Sequence, residues 1–248
     1  MYHFFVSPSQ IGEKEIYIEG KDVNHIKNVL RMKIGEELSI GNGVDGNEYR
    51  CSVSAFEEER VILNIHFIKQ DGVEAPAEIC LFQGLPKNDK MELIIQKCVE
   101  LGVCEIVPVS MKRCVVKLDE KKEKSKRERW QSISEAAAKQ SKRAVIPQIG
   151  KVMTMKEAIG RAQEFDLVIL PYECADSMEE TRKVFEEIKP GMKIAIFIGP
   201  EGGFEEEEVL LATDAGAKTI SLGKRILRTE TAGFTTLAWI LYRLEVMG

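Results

Sequence analysis

Histidine is scarce in this chain of 248 residues: there are three, His3, His25 and His66, and none lies beyond position 66. Any chemistry in the later two thirds must therefore run without imidazole, which argues against a Ser-His-Asp or Cys-His mechanism there. Cysteine is also sparse. Cys51, Cys80, Cys98, Cys104, Cys114 and Cys174 contain no C-x-x-C pair, so neither a disulfide framework nor a zinc site is expected, and no metal. Long apolar runs are absent, and the richest stretch, Ala232 to Tyr242, falls short of the roughly 20 residues that a membrane span needs. The amino-terminus shows no basic region followed by an apolar segment, so no signal peptide and a cytoplasmic location are expected. The loop Ile198 to Phe204 is neither a P-loop, since no G-K-[ST] follows it, nor a G-x-G-x-x-G fingerprint.

What the chain does contain is an ordinary globular composition, 44% hydrophobic and 30% charged, with a net charge of −5. Up to about Gln70 it reads as short strands separated by turns: Glu15 to Ile18, Glu37 to Ile40, Tyr49 to Ala55, and Val61 to Ile68 with Val61, Leu63, Ile65 and Phe67 alternating. One helix, Val23 to Leu30, interrupts them. This predicts a small barrel-like unit.

A linker near Asp71 to Pro76 then gives way to strands alternating with helices. Short apolar strands are expected at Ile79–Phe82, Val103–Val109, Leu167–Leu170, Lys193–Ile198 and Thr219–Leu222. Helical spacing runs from Met91 to Leu101 and stops at Gly102. Ser125-x-x-Glu128 reads as a capping box opening a helix with Trp130, Ile133 and Ala137 on one face. Thr154-x-x-Glu157 and Asp176-x-x-Glu179 open two more, and Glu205–Ala215 and Thr229 onward are the last. The pattern predicts an α/β domain on a mainly parallel sheet.

Charge is distributed unevenly. Between Lys112 and Arg143 there are 12 Lys/Arg and 5 Asp/Glu, a local +7 in a chain of −5, which leaves −12 elsewhere. A phosphate-backbone contact at one face would need such a segment, though a solvated helix face laced with i,i+4 pairs has the same composition.

Two strand-to-helix loops stand out. The first, Ile198-Gly199-Pro200-Glu201-Gly202-Gly203-Phe204, lies at the carboxyl end of an expected buried strand, where open α/β sheets bind ligands. The carboxylates Glu205 to Glu208 that follow suit the helix dipole and repel phosphate, so an uncharged or cationic ligand fits better than a triphosphate. The second, Ser221 to Ala232, sets Arg228 beside Thr229, Glu230 and Thr231 at a helix start. An N-cap role for Thr229 accounts for the helix but not for Arg228.

Together these loops resemble the ribosomal RNA small-subunit methyltransferase E family of the SPOUT superfamily. The resemblance extends over nearly the whole chain, through Val29-Leu30-Arg31-Met32-Lys33, Glu100-Leu101-Gly102-Val103, Glu128-Arg129-Trp130 and Ala138-Lys139-Gln140-Ser141-Lys142-Arg143 with Pro147. Where the family often has an arginine before its Phe-Val, this chain has Tyr2-His3.

The resemblance implies a PUA-like RNA-binding β-barrel over residues 1–72 and a SPOUT α/β domain over 73–248, with a deep trefoil knot at roughly 166–248. It implies S-adenosylmethionine held by the knot loops: Leu170, Pro171 and Tyr172; Ile198, Gly199, Pro200, Glu201 and Gly202; and Leu222, Gly223, Ile226, Leu227, Arg228, Thr231 and Ala232. The implied reaction is methylation of N3 of a uridine in 16S rRNA of the small ribosomal subunit by a homodimer. The acceptor nitrogen carries a proton and needs its anion stabilised, for which Arg228 is the candidate; Glu230, Glu201 and solvent are open as the base. Arg31, Lys33 and, from the basic segment, Arg143 are expected phosphate contacts. A non-catalytic RNA-binding ribosome-assembly protein with a vestigial pocket is the alternative. A small-molecule α/β enzyme is disfavoured by the barrel and the basic segment.

Overall fold

The computed structural model describes residues 1–70, 73–173, 175 and 177–247. Asp71 and Gly72, where the sequence places the linker and the end of the first domain, lie outside the described residues, as do Cys174 and Asp176. Two compact units form: Met1–Glu74 with Ala138–Ile146, and Ala75–Ala137 with Pro147 onward.

The first unit is a curled sheet of five strands: β1 (Tyr2–Phe5), β2 (Glu15–Glu19), β3 (Glu37–Gly41), β4 (Glu48–Phe56) and β5 (Arg60–Lys69). Their order across the sheet is β1-β3-β4-β5-β2. β1 and β3 are parallel and the remaining pairs antiparallel. Period-2 alternation turns Ile16, Ile18, Leu38, Ile40, Val61 and Leu63 inward, all essentially solvent-free. Along β5 that alternation fails after Ile65, and Phe67 is exposed; a register shift there leaves His66 as an extra residue of β5 opposite Arg50 and Cys51, and such a bulge re-aims side chains. The helix expected over 23–30 begins as α1 (Lys21–Asn24) and continues as a wider π turn, His25–Val29.

The first unit is closed by Ala138–Ile146, a segment distant in sequence. It lies along the chain just beyond β3: Gly43 N donates to Ala144 O at 3.1 Å, and Ile146 N to Gly43 O at 3.2 Å. Glu74 anchors the segment. Its Oε1 accepts the Ala144 and Val145 amides at 3.1 and 3.2 Å, and its Oε2 accepts Arg143 Nε at 2.9 Å and Nη2. The Arg143 side chain is 3% exposed, so the structure corrects the sequence expectation: Arg143 is a buried structural cation and not a phosphate contact. His3 is also interior, with Nδ1 2.8 Å from Ser39 Oγ, and burial lowers its pKa from 6.5.

The second unit is built, in chain order, from β6 (Glu78–Gly84), α2 (Lys90–Glu100), β7 (Glu105–Ser110), α3 (Glu120–Gln140), β8 (Gln148–Ile149), β9 (Met153–Thr154), α4 (Met155–Ala162), β10 (Leu167–Pro171), α5 (Met178–Glu186), β11 (Lys193–Ile198), α6 (Glu206–Asp214), β12 (Lys218–Ile220) and α7 (Thr229–Leu241). Its strands form a parallel seven-stranded sheet in the order β12-β10-β11-β6-β7-β8, with β9 also on β7. Apolar runs such as Ile194 to Ile198 are buried on both faces, as central parallel strands require. The Thr154–Glu157 capping box forms as expected. The box expected at Ser125 does not: α3 starts more than a turn earlier, where Asp119 Oδ1 accepts the Lys122 amide at 2.8 Å, and Ser125 sits within the helix. α5 is capped by Ser177, whose Oγ accepts the Glu180 amide.

Two outcomes are expected for the first unit. Glu74→Ala leaves the buried Arg143 guanidinium and two amides without their carboxylate, which should cost about 3 kcal/mol in urea unfolding, whereas Glu13→Ala on the surface should change little. Because burial depresses His3, folding prefers the neutral ring. The stability it contributes is therefore complete above pH 6.5 and declines as pH falls below that value. His3→Asn should remove that part of the dependence.

Candidate functional site

Strands β10, β11 and β12 are neighbours, so the loops leaving their carboxyl ends converge. They enclose a cavity of about 700 Å³, lined by Pro171 and Tyr172 after β10, Ile198 to Phe204 after β11, and Ser221 to Thr229 after β12. Lys90, Glu173, Met178 and Ala232 complete the lining. Of the expected cofactor residues, Leu170 is wholly buried in β10, and neither it nor Thr231 reaches the cavity wall; the others all do.

A buried chain of hydrogen bonds sets the shape of the middle loop. Gln83 Nε2, at the end of β6, donates to Gly84 O at 3.0 Å and to Thr229 Oγ1 at 2.9 Å. Thr229 Oγ1 in turn donates to Gly199 O at 2.6 Å. Thr229 is the first residue of α7 and its hydroxyl bonds another loop, so the N-cap reading is corrected; Arg228 occupies the cap position without a side-chain cap bond. Close packing completes the arrangement. A Cβ on Gly84 would stand 2.7 Å from the Pro200 backbone nitrogen, and one on Gly199 would stand 3.0 Å from Gly203 C. A Cβ on Gly202 would meet the Arg113 side chain at 3.1 Å. These glycines thus serve the packing of the loop on itself and on its neighbours.

Charge around the cavity is organised by ion pairs. Lys90 Nζ lies 3.0 Å from Glu201 Oε1 and 3.3 Å from Glu230 Oε2. The Lys90 pKa is raised, first by its hydrogen bond to Glu201 and then by Glu230. Burial pushes the Glu201 pKa up, but its own amide, the Lys87 amide at 3.0 Å and Lys90 outweigh this and hold it below the usual carboxylate value. A carboxylate so held is a poor base near neutrality. Glu230 is not part of the cavity wall, and its side chain is 13% exposed against 80% for Arg228, from which it is 3.9 Å away. Arg228 is therefore an exposed cation at the rim.

The carboxylates opening α6 are also engaged. Glu205 pairs with Arg113 at 2.9 Å, Glu207 with Lys112, and Glu208 Oε1 accepts the Lys112 amide at 2.9 Å. Lys112 and Arg113, counted as phosphate contacts from composition, are thus tied to α6. Arg31 and Lys33 are exposed, and Arg31 adopts a left-handed φ of 53°. Four of the thiols are held protonated by burial, which raises Cys51 to about 12 and raises Cys80, Cys98 and Cys114 as well. Among the described residues no cluster could hold a metal ion and no helix is long and apolar enough to cross a membrane.

Sequence reasoning missed Lys90, Gln83 and Gly84. Each sits on β6 or at the start of α2, outside the two loops that drew attention, and no local spacing marks them. A fourth strand end, β6, was the available signal, since its neighbour in the sheet is β11.

The family model of an RNA methyltransferase domain matches residues 73–241, and that of an RNA methyltransferase PUA domain matches 18–65. The chain is 37% identical over 250 residues to the ribosomal RNA small subunit methyltransferase E of Bacillus subtilis, spanning 99% of this chain and 97% of that one. The protein of the same name from Mesomycoplasma hyopneumoniae is 34% identical, over 96% and 97%. The Neisseria gonorrhoeae enzyme of that name, solved bound to S-adenosyl methionine, superposes with a TM-score of 0.82 at 31% identity over 96% of this chain and 95% of that chain.

The buried hydroxyl is directly testable. Thr229→Val keeps the shape but deprives Gly199 O of its donor and Gln83 of an acceptor, which should cost about 1–3 kcal/mol in stability. It should also raise hydrogen exchange at the amides of Gly199, Glu201, Gly202 and Gly203. Thr229→Ser should restore most of both.

Proposed function

The chain belongs to the ribosomal RNA small subunit methyltransferase E family, and from that premise we propose that it transfers a methyl group from S-adenosylmethionine to N3 of a uridine in 16S rRNA. The observation that carries this reading is the cavity formed by the three adjacent loops, whose volume of about 700 Å³ is that of a small-molecule site. Its residues fit this cofactor. Ile198, Leu222, Leu227 and Met178 offer apolar walls, glycine-bearing loops offer backbone groups, and Glu173 and Glu201 offer negative charge to a sulfonium and an ammonium. The acidic start of α6 would oppose a triphosphate. Bound there, S-adenosylmethionine supplies an electrophilic methyl group.

The chain's own residues bind, orient and supply charge. Thr229, through Gly199 O, fixes the loop against which the cofactor rests, and Glu201 braces that loop to the Lys87 amide. The uracil must be presented unstacked with N3 in line with the methyl. Its proton has to leave first, and Glu201, held ionised by its donors, does not suit the role of base. Arg228, exposed at the mouth of the cavity, is proposed to meet the base or its phosphate.

RNA contact is proposed through Arg31 and Lys33 in the first unit and through the basic run around α3. With Lys112, Arg113, Lys122, Arg129, Lys139 and Arg143 engaged, that run consists of Lys117, Lys121, Lys124, Lys126, Arg127 and Lys142, none paired with a carboxylate among the described residues. A homodimer is proposed through the end of the chain, where Ala238, Tyr242, Val246 and Met247 are exposed and Phe234, Trp239 and Leu241 only partly covered. A cytoplasmic location accords with a ribosomal substrate. The knot proposed for 166–248 is supported by the strand order, in which β12 returns beside β10 before α7 packs on α2 and β11.

The test is methyl incorporation into purified 30S subunits that lack the mark, followed by nucleoside mapping; 3-methyluridine is the expected product. Replacing Lys121, Lys124, Lys126 and Arg127 with alanine should weaken 30S binding and flatten its salt dependence. The log–log slope should fall by about 0.7–0.9 for each phosphate no longer neutralised, while S-adenosylmethionine affinity stays parental. Arg143→Ala should act through stability instead.

A further inference from the structure

Lys90 is an amine on the wall of the proposed cofactor cavity whose position is fixed from two directions. Glu201 reaches it from the loop after β11 and Glu230 from the first turn of α7, at 3.0 and 3.3 Å. The other cations of the wall have no such pair of carboxylates beside them among the described residues. Lys224, Arg225 and Arg228 are exposed, and the 3.9 Å approach of Arg228 to Glu230 is its one ion pair among the described residues. Electrostatic catalysis depends on charge that is already in place, because a fixed donor needs no reorganisation when charge develops. By that criterion Arg228 is poorly suited and Lys90 well suited. An ammonium has three N–H donors. Two carboxylates hold this ammonium at ion-pair distance, and donor capacity is left for a ligand.

We propose that Lys90 is a catalytic residue whose ammonium, caged by Glu201 and Glu230, donates to a carbonyl oxygen of the target uracil as negative charge develops on it. The proposal rests on the reading of this cavity as a methyltransferase site. The N3–H bond breaks, with its proton passing to water. The N3 electron pair then forms the bond to the methyl carbon, and the C–S bonding pair returns to sulfur. Between these events the charge is shared with the flanking carbonyl oxygens, and there a fixed ammonium stabilises it. Lys90 does not act as the base, since its two carboxylates favour the protonated amine. Glu201 and Glu230, the residues first considered as bases, become positioning residues for Lys90.

The test compares the parent with Lys90→Met, Lys90→Arg and Glu230→Gln. Lys90→Met should lower kcat on hypomethylated 30S subunits by about 10²–10³-fold near neutral pH, with S-adenosylmethionine affinity and Tm near parental. The deficit should narrow as pH rises, because the uracil anion then forms without help; a merely structural role would not give that pH profile. Lys90→Arg should recover part of the rate. In the free protein, competitive acylation with acetic anhydride read by mass spectrometry should find Lys90 slower than the exposed Lys151 and accelerated in Glu230→Gln. Parental turnover in Lys90→Met at every pH overturns the proposal. So does a parallel loss of cofactor affinity and Tm that accounts for the rate, or acylation of Lys90 that is as fast as that of Lys151 in both proteins. A parent that methylates no uridine in 30S subunits removes the activity itself, and Lys90's role with it.

Discussion

The hydroxyl of Thr229, almost fully buried at 6% exposure, accepts from Gln83 and donates to the carbonyl of Gly199. Each partner belongs to a different element: the end of β6, the loop after β11 and the first turn of α7. Buried polar groups impose strict geometry, because an unmet donor or acceptor costs more than a formed bond returns. One side chain therefore fixes three segments that are far apart in sequence, and the cavity depends on that arrangement. Gly84 and Gly199 allow the approach by leaving space where a Cβ would collide.

Outside this neutral centre the site is shaped by charge, and the charges are partitioned by purpose. The acidic start of α6 neutralises Lys112 and Arg113, which fastens the segment after β7 beside the middle loop. Glu201 and Glu230 hold Lys90. Glu74 takes Arg143 out of solvent. A run of basic residues that looks uniform in composition therefore separates into cations serving the fold and cations left at the surface. Electrostatic attraction of a polyanion depends on the second group alone.

Much of this was legible from local rules. Period-2 runs located β4 and β5, alternation of apolar strands with helices predicted the parallel sheet, and Thr154 with Glu157 opened α4 as its capping box demands. The two glycine-bearing loops line one cavity because strand-to-helix turns of a parallel sheet share one end. The failures have a common cause. Arg143, Thr229 and Ser125 were read from their neighbours in sequence, whereas their roles are set by Glu74, by Gly199, and by Asp119 and the helix that it opens. Lys90 was missed for the same reason. A lysine at a helix start carries no signal until Glu201 and Glu230 are brought to it.

The discontinuity of the first unit has a bearing on how the chain matures. Its sheet is encoded by the first 70 or so residues, yet Glu74 and Gly43 find their partners on Ala138–Ile146. On a translating ribosome the amino-terminal sheet emerges first and must wait, with Arg143 and its amides still unmade, while some seventy further residues are added at roughly 5–20 per second. During those seconds an edge that is later occupied stands open. The amino-terminal unit is thus the first to start folding but cannot finish until the chain has been made as far as Ile146, and a fragment ending near residue 74 would be a sheet with one of its supports missing.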